Sequence, residues 1–154
     1  MNKVWQMVGR IGFWLVWPAL YIYLYNTQRT RVIITAGDKV LLVKGWLSAG
    51  QWMLPGGGLR QGERPEIGLV REVQEECGLI LEGITLKKMA VERGGNVGLT
   101  SMLHFYSAKL PAIMPVHRQR GEITAAVWLP LSELSKVTCA SEVHRALQLL
   151  AEQG

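Results

Sequence analysis

An α/β (α+β) domain with a mixed central sheet, preceded by a separate hydrophobic helix, is the fold class that the chain predicts. Three observations carry the prediction. β-branched and Leu-rich runs are divided by glycine- and proline-bearing turns, two helical patterns interrupt those runs, and an uncharged aromatic-rich stretch precedes them all. With 154 residues and 49% apolar side chains there is enough apolar surface for one packed core, which excludes a collagen-like, disordered or disulfide-stapled chain.

The leading segment comes first. No side chain from Ile11 to Tyr25 is charged, and as a helix this run is about 22 Å long, short of the roughly 30 Å hydrocarbon core. Extension back to Val4 gives a spanning length and brings in Arg10, whose long side chain can snorkel to headgroups. Pro18 would kink the helix, and the Trp and Tyr residues suit a membrane interface. Tyr23-Leu24-Tyr25-Asn26 offers no small-residue cleavage site, so a removed signal peptide is not expected. Two readings stay open. Residues 4–25 associate with a membrane, or they pack on the domain's own surface or pair two subunits as a homodimer. Residues 1–28 are accordingly set apart from a domain at 29–154.

Charge placement supports that division. The formal net charge is +5, yet Lys3, Arg10, Arg29 and Arg31 all precede the first acid, Asp38. The body is therefore close to neutral and has no basic stripe interleaved with aromatics, so no nucleic-acid partner is expected. Cys77 and Cys139 lack C-x-x-C spacing and read as thiols in a reducing, cytoplasmic compartment.

Along the body, Arg31–Thr35 and Lys39–Lys44 are strand-like and are joined by Ala36-Gly37-Asp38, which predicts a hairpin. Trp52-Met53-Leu54 runs into Pro55-Gly56-Gly57-Gly58, a loop. Pro65 opens a helix that Gly78 closes, with Ile67, Val70, Val73 and Cys77 as its core stripe. Strands follow at Ile84–Val91 and Leu99–Leu110 around a turn at Gly94-Gly95-Asn96, then a loop Pro111–Gly121 and a strand Ile123–Leu129. Ser141 is read as the N-cap of a last helix reaching Glu152.

Glu63, Glu66, Glu72, Glu75 and Glu76 are five of the 12 acidic residues. On a helix, Glu72, Glu75 and Glu76 fall within one arc of about 100°. Three carboxylates so placed repel each other unless a cation neutralises them, and oxygen ligands suit a hard divalent ion. Arg71, four residues before Glu75, offsets one charge.

The frame around these acids is more specific. Gly57, five residues, Glu63, seven residues, then Arg71-Glu72-Val73-Gln74-Glu75-Glu76-Cys77-Gly78-Leu79 resembles the Nudix box, G-x5-E-x7-R-E-U-x-E-E-x-G-U, at every specified position. The resemblance implies a Nudix-type α/β/α sandwich. It further implies Mg2+- or Mn2+-dependent hydrolysis of a nucleoside diphosphate-linked substrate, a nucleoside triphosphate or nucleotide derivative, by attack of water on phosphorus. It implies Glu72 and Glu76 as principal metal ligands and Glu75 as a third or water-mediated one. Glu63 would hold a metal-bound water or orient Arg71, and Arg71 would orient the glutamates. Glu122, downstream in Arg118-Gln119-Arg120-Gly121-Glu122, is the expected general base, with Glu92 the runner-up. Glu122, Glu75 and Arg71 thus form the expected catalytic set, and Glu72, Glu75, Glu76 and Glu63 the metal set.

Gly57 and Gly58, with Arg118 and Arg120, are the expected substrate contacts, and the partner is a nucleotide-type small molecule. His104, inside an apolar strand, reads as a core or pocket histidine, and His144 as a surface one. Trp46, Trp52 and Trp128 are candidates to stack on a base, although core positions suit them better. The rival reading is a catalytically silent Nudix-fold nucleotide-binding module held at a membrane. The full set of glutamates speaks against it.

Overall fold

Val32, Ile33 and Ile34 are all fully buried, so the strand that carries them, β1 (Gln28–Ala36), must be covered on both faces. The computed structural model describes residues 28–46, 48–94, 101–117 and 123–153. The leading hydrophobic segment and its expected helix lie outside these residues, as do Arg118, Arg120 and Glu122. The other strands are β2 (Lys39–Gly45), β3 (Lys87–Gly94), β4 (Ser101–Leu110) and β5 (Ile123–Pro130). Together they form one mixed sheet in the order β3-β4-β1-β2-β5, with β1 at its centre. Of the adjacent strand pairs in this sheet, β1·β4 is the parallel one, in register from Gln28↔Met102 to Ala36↔Leu110.

Two helices, α1 (Pro65–Cys77) and α2 (Ser141–Glu152), complete the layers. Val32, Ile34, Leu41, Val43, Tyr106 and Ala108 cluster with Leu69, Val73 and Cys77 of α1. Ile33, Val40, Leu42 and Phe105 cluster with Val143, Ala146 and Leu149 of α2. The alternation along each strand sorts the two sets to opposite faces, which gives the α/β/α sandwich.

The hairpin between β1 and β2 forms as expected, but its paired part is short: Thr35↔Val40 and Ala36↔Lys39. Beyond it β2 turns to Met53, bonding Val43 N to Met53 O at 2.9 Å. The edge of β1 thus vacated takes the glycine segment instead. Thr30 N donates to Gly57 O at 2.9 Å, Val32 N to Pro55 O at 3.0 Å, and Leu59 N to Gln28 O at 2.9 Å. What reads as a loop in the sequence is therefore stitched to the central strand.

Two local expectations are corrected. The core stripe of α1 is Leu69, Val73 and Cys77, one every four residues, whereas Ile67 is 57% exposed. Ile67 lies about 200° around the helix from Leu69 and faces away from the sheet. Ser141 is the first helical residue of α2, and Ala140 is the N-cap, without a side-chain cap. The reason is a bond from Ala140 N to Trp52 O at 2.8 Å, which holds Ala140 extended and delays the helix by one residue.

Candidate active site

α1 starts on an extended Arg64 with Pro65 in its first turn, where a missing N–H costs nothing. It ends on Gly78, whose left-handed φ of 66° returns its N–H to Gln74 O at 2.9 Å. His117 N donates to Cys77 O at 3.0 Å, so the described end of the Pro111–His117 segment is docked at the C-terminal end of α1.

The glycine segment lies against two carboxylates of the C-terminal half of α1. Gly56 N donates to Glu76 Oε2 at 2.9 Å. Gly56 itself has φ 128°, and a Cβ there would lie 2.3 Å from Thr30 O, so only glycine passes this close to β1. One residue on, a Cβ at Gly57 would lie 2.3 Å from Glu72 Oε2, so that carboxylate fills the space a side chain would take. Glu72 and Glu76, one helical turn apart, therefore both face the Gly56–Gly57 backbone.

Arg71 ties together the remaining acids. Its Nε donates to Glu63 Oε1 at 2.9 Å and its Nη2 to Glu63 Oε2 at 2.9 Å. Nη1 donates to Glu72 Oε1 at 2.7 Å and Glu75 Oε2 at 3.1 Å, and Nη2 also reaches Gly58 O at 3.1 Å. The two-pronged bond from Arg71, with Arg60 N–H at 2.8 Å, pulls the Glu63 carboxyl down to about 2. Arg71 is correspondingly held firmly charged, first by Glu63.

The donors fit a hard divalent cation in kind, being carboxylate oxygens only, and the missing Cβ of Gly57 is what lets the Glu72 carboxylate lie against the glycine backbone. Among the described residues, no three carboxylate, imidazole or thiol groups are placed to hold a metal ion as they stand; Glu63, Glu72 and Glu75 are bonded to Arg71 instead. A groove of about 420 Å³ beside α1 is lined by Glu66, Ile67, Val70, Arg71, Gln74 and Leu86.

The structure thus brings Gly57, Gly58, Glu63, Arg71, Glu72, Glu75 and Glu76 together. Glu92 is not among them: it is bonded to Arg145 of α2 at 2.6 Å. Trp128 Nε1 donates to Met114 O at 2.9 Å, and Trp52 lies under Lys44 at 4.4 Å, so both rings are engaged within the domain. Trp46 is 75% exposed. His104 is buried, bonds Gln28 Oε1 through Nε2 at 3.0 Å, and stands opposite Thr30 in the sheet. Its Nδ1 and the Thr30 Oγ1 are buried without a partner among the described residues. Burial, with Lys88 second, pushes the imidazole below its ordinary range.

Sequence reasoning read Arg31 as a charge and as the start of a strand, and passed over Glu142. Arg31 is 7% exposed, and its Nε lies 2.9 Å from both carboxylate oxygens of Glu142. The available signal was a cation set directly before a Val-Ile-Ile run, which cannot all face water.

The NUDIX domain family model matches residues 26–150. A MutT-like protein of Streptomyces ambofaciens is 29% identical over 131 residues, covering 85% of this chain and 80% of that protein. Nudix hydrolase 6 of Arabidopsis thaliana is 29% identical over 84 residues, 54% of this chain, and that match spans only 30% of the plant protein's length. The NUDIX domain of Shewanella oneidensis NrtR, solved in complex with ADP ribose, has the same fold, with a TM-score of 0.72 at 18% identity over 88% of this chain and 97% of that one. With the box in place on α1 and the family model spanning the sandwich, the chain belongs to the Nudix hydrolase family, whose members are generally pyrophosphohydrolases of nucleoside diphosphate derivatives and generally use divalent metal ions.

Proposed function

We propose that the chain hydrolyses a phosphoric anhydride bond in a nucleoside triphosphate or other nucleoside diphosphate-linked molecule, with Mg2+ or Mn2+ as cofactor and water as nucleophile. One observation carries this reading: Glu72 and Glu76, a turn apart on α1, both set against the Gly56–Gly57 backbone. They are the proposed principal ligands, with Glu75 as the third and Glu63 supporting them through Arg71. A bound divalent cation supplies neutralisation of the phosphoryl charge and acidification of water. The chain's own part is to orient the carboxylates: Arg71 holds three of them at once, and the glycines bring backbone close to where the phosphates would lie. Gly57 and Gly58 are proposed as substrate contacts. Glu122 as general base, and Arg118 and Arg120 as phosphate contacts, are proposed from sequence alone.

Residues 29–154 are the proposed catalytic domain, in a cytoplasmic setting. The family match begins at residue 26, which supports treating residues 1–28 as an element of their own. For residues 4–25 we propose membrane association, with packing on the domain's own surface or subunit pairing as the other outcome. Among the described residues no helix is long and apolar enough to cross a membrane. Alkaline carbonate extraction of the full chain separates the two outcomes, since recovery in the soluble fraction removes the membrane one.

The test of the activity is a panel of nucleoside triphosphates, dinucleotides, nucleotide sugars and ADP-ribose offered to the full chain with Mg2+ or Mn2+, and again with EDTA. Turnover of at least one member that EDTA abolishes is the expected result. Binding of a nucleotide without turnover of any member would replace the enzyme with the silent binding module.

A further inference from the structure

Arg31 is a buried cation on the α2 face of the central strand, across the sheet from α1. A buried ion pair seldom adds net stability over apolar side chains of the same volume, so its position calls for another account. Its contacts supply one. Glu142, in the first turn of α2, grips Nε at 2.9 Å and accepts a bond from Leu54 N at 3.3 Å. Arg31 Nη1 donates to Thr30 O at 3.2 Å and to Gly56 O. The N–H of that same Gly56 donates to Glu76 Oε2 at 2.9 Å. An unbroken series of bonds thus leads from α2 through the sheet to one glutamate of α1, and the Gly56 residue is its last link.

We infer that Arg31 and Glu142 are positioning residues for Glu76: they fix the Gly56 backbone that orients this carboxylate toward a divalent cation. This rests on the metal-site reading given above. Neither residue belongs to the Nudix box. The guanidinium is needed for its shape as well as its charge, because it meets Glu142 through Nε and two backbone carbonyls through Nη1. Lysine, a single point of charge, cannot make all these bonds.

The test measures Mn2+ binding to the full chain by electron paramagnetic resonance, with no substrate present, alongside kcat and KM. Arg31→Lys and Glu142→Gln are compared with the parent and with Arg145→Gln. The last change removes another ion pair of α2, Arg145–Glu92, without touching the glycine segment. Arg31→Lys and Glu142→Gln are expected to weaken Mn2+ binding about tenfold or more and to lower kcat, while KM at saturating metal stays within about twofold. Arg145→Gln is expected to lower the melting temperature and leave the Mn2+ affinity alone. If Arg31→Lys does not fold, Glu142→Gln decides by the same readout. A folded Glu142→Gln or Arg31→Lys with parental Mn2+ affinity overturns the inference, as does an equal loss in Arg145→Gln. Failure of the parent to bind Mn2+ at all overturns the metal-site reading itself, and this inference with it.

Discussion

Replacing Gly57 by alanine adds one methyl group where the structure has put the Glu72 carboxylate. Built on the existing backbone, the new carbon would stand 2.3 Å from Glu72 Oε2 and 2.4 Å from its Cδ, whereas ordinary contact begins near 3.4 Å. The carboxylate must therefore withdraw by about 1 Å. Gly57 has no left-handed φ, so the backbone accepts alanine, and the end of a glutamate side chain can swing away. An off-rotamer glutamate costs about 0.5–1.5 kcal/mol. At about 2–4 °C per kcal/mol for a domain of this size, the melting temperature should fall by no more than about 6 °C. Activity should fall much further, because a 1 Å misplacement in a catalytic constellation costs about a hundredfold. Gly56→Ala makes the informative contrast. There the new carbon meets Thr30 O at 2.3 Å, a carbonyl of the central strand that cannot move aside, and φ is 128°. That variant should be severely destabilised or fail to fold. The assay is thermal unfolding by circular dichroism, with kcat on whichever substrate the panel identifies. A folded Gly57→Ala enzyme with the parental kcat would refute the reasoning.

Three further outcomes are expected. Arg71→Lys should cut kcat at least about tenfold, because an ammonium cannot serve Glu63, Glu72 and Glu75 together. Since Glu63 is held at about 2 when folded against 4.5 ordinarily, its stabilisation is full above 4.5 and is lost as pH falls toward 2. The stability gap between parent and Arg71→Lys, read from urea unfolding, should therefore narrow across that range. His104 acts in the same direction at higher pH: its folded value lies below that of a free imidazole, about 6.5, so the unfolded chain takes up the proton first on acidification. Stability should drop as pH falls below about 6.5, and His104→Asn should flatten that slope; an equal slope in both proteins would count against it. Cys77 is fully buried with its thiol pushed up to about 12, so a thiol reagent on the native protein should label Cys139 and spare Cys77 until unfolding.

The site was legible in the sequence where its parts are local. Glu72, Glu75 and Glu76 share a helix face by spacing alone, and Gly57, Glu63 and Arg71 stand at fixed intervals from them. Burial on α1 was misjudged at Ile67, because a four-residue step from Leu69 to Cys77 and the stripe through Ile67 look alike without the sheet to choose between them. The role of the glycine segment was hidden for a different reason. Its partner is the edge of β1 left open where β2 turns away, a feature of register and not of composition. Arg31 and Glu142 lie 111 positions apart, and nothing local in either stretch announces the other. The parallel pairing of β1 with β4, across a crossover that contains α1 and β3, was similarly beyond local pattern.

The most direct test of the central claim compares Glu76→Gln with the parent chain, in H2-18O with Mg2+, on the substrate the panel yields. The account predicts 18O in a phosphoryl product of the parent and a loss of rate greater than about a hundredfold in Glu76→Gln, beyond what loss of an outer-shell partner costs. A Glu76→Gln protein as active as the parent, or product that carries no 18O at phosphorus, would contradict it.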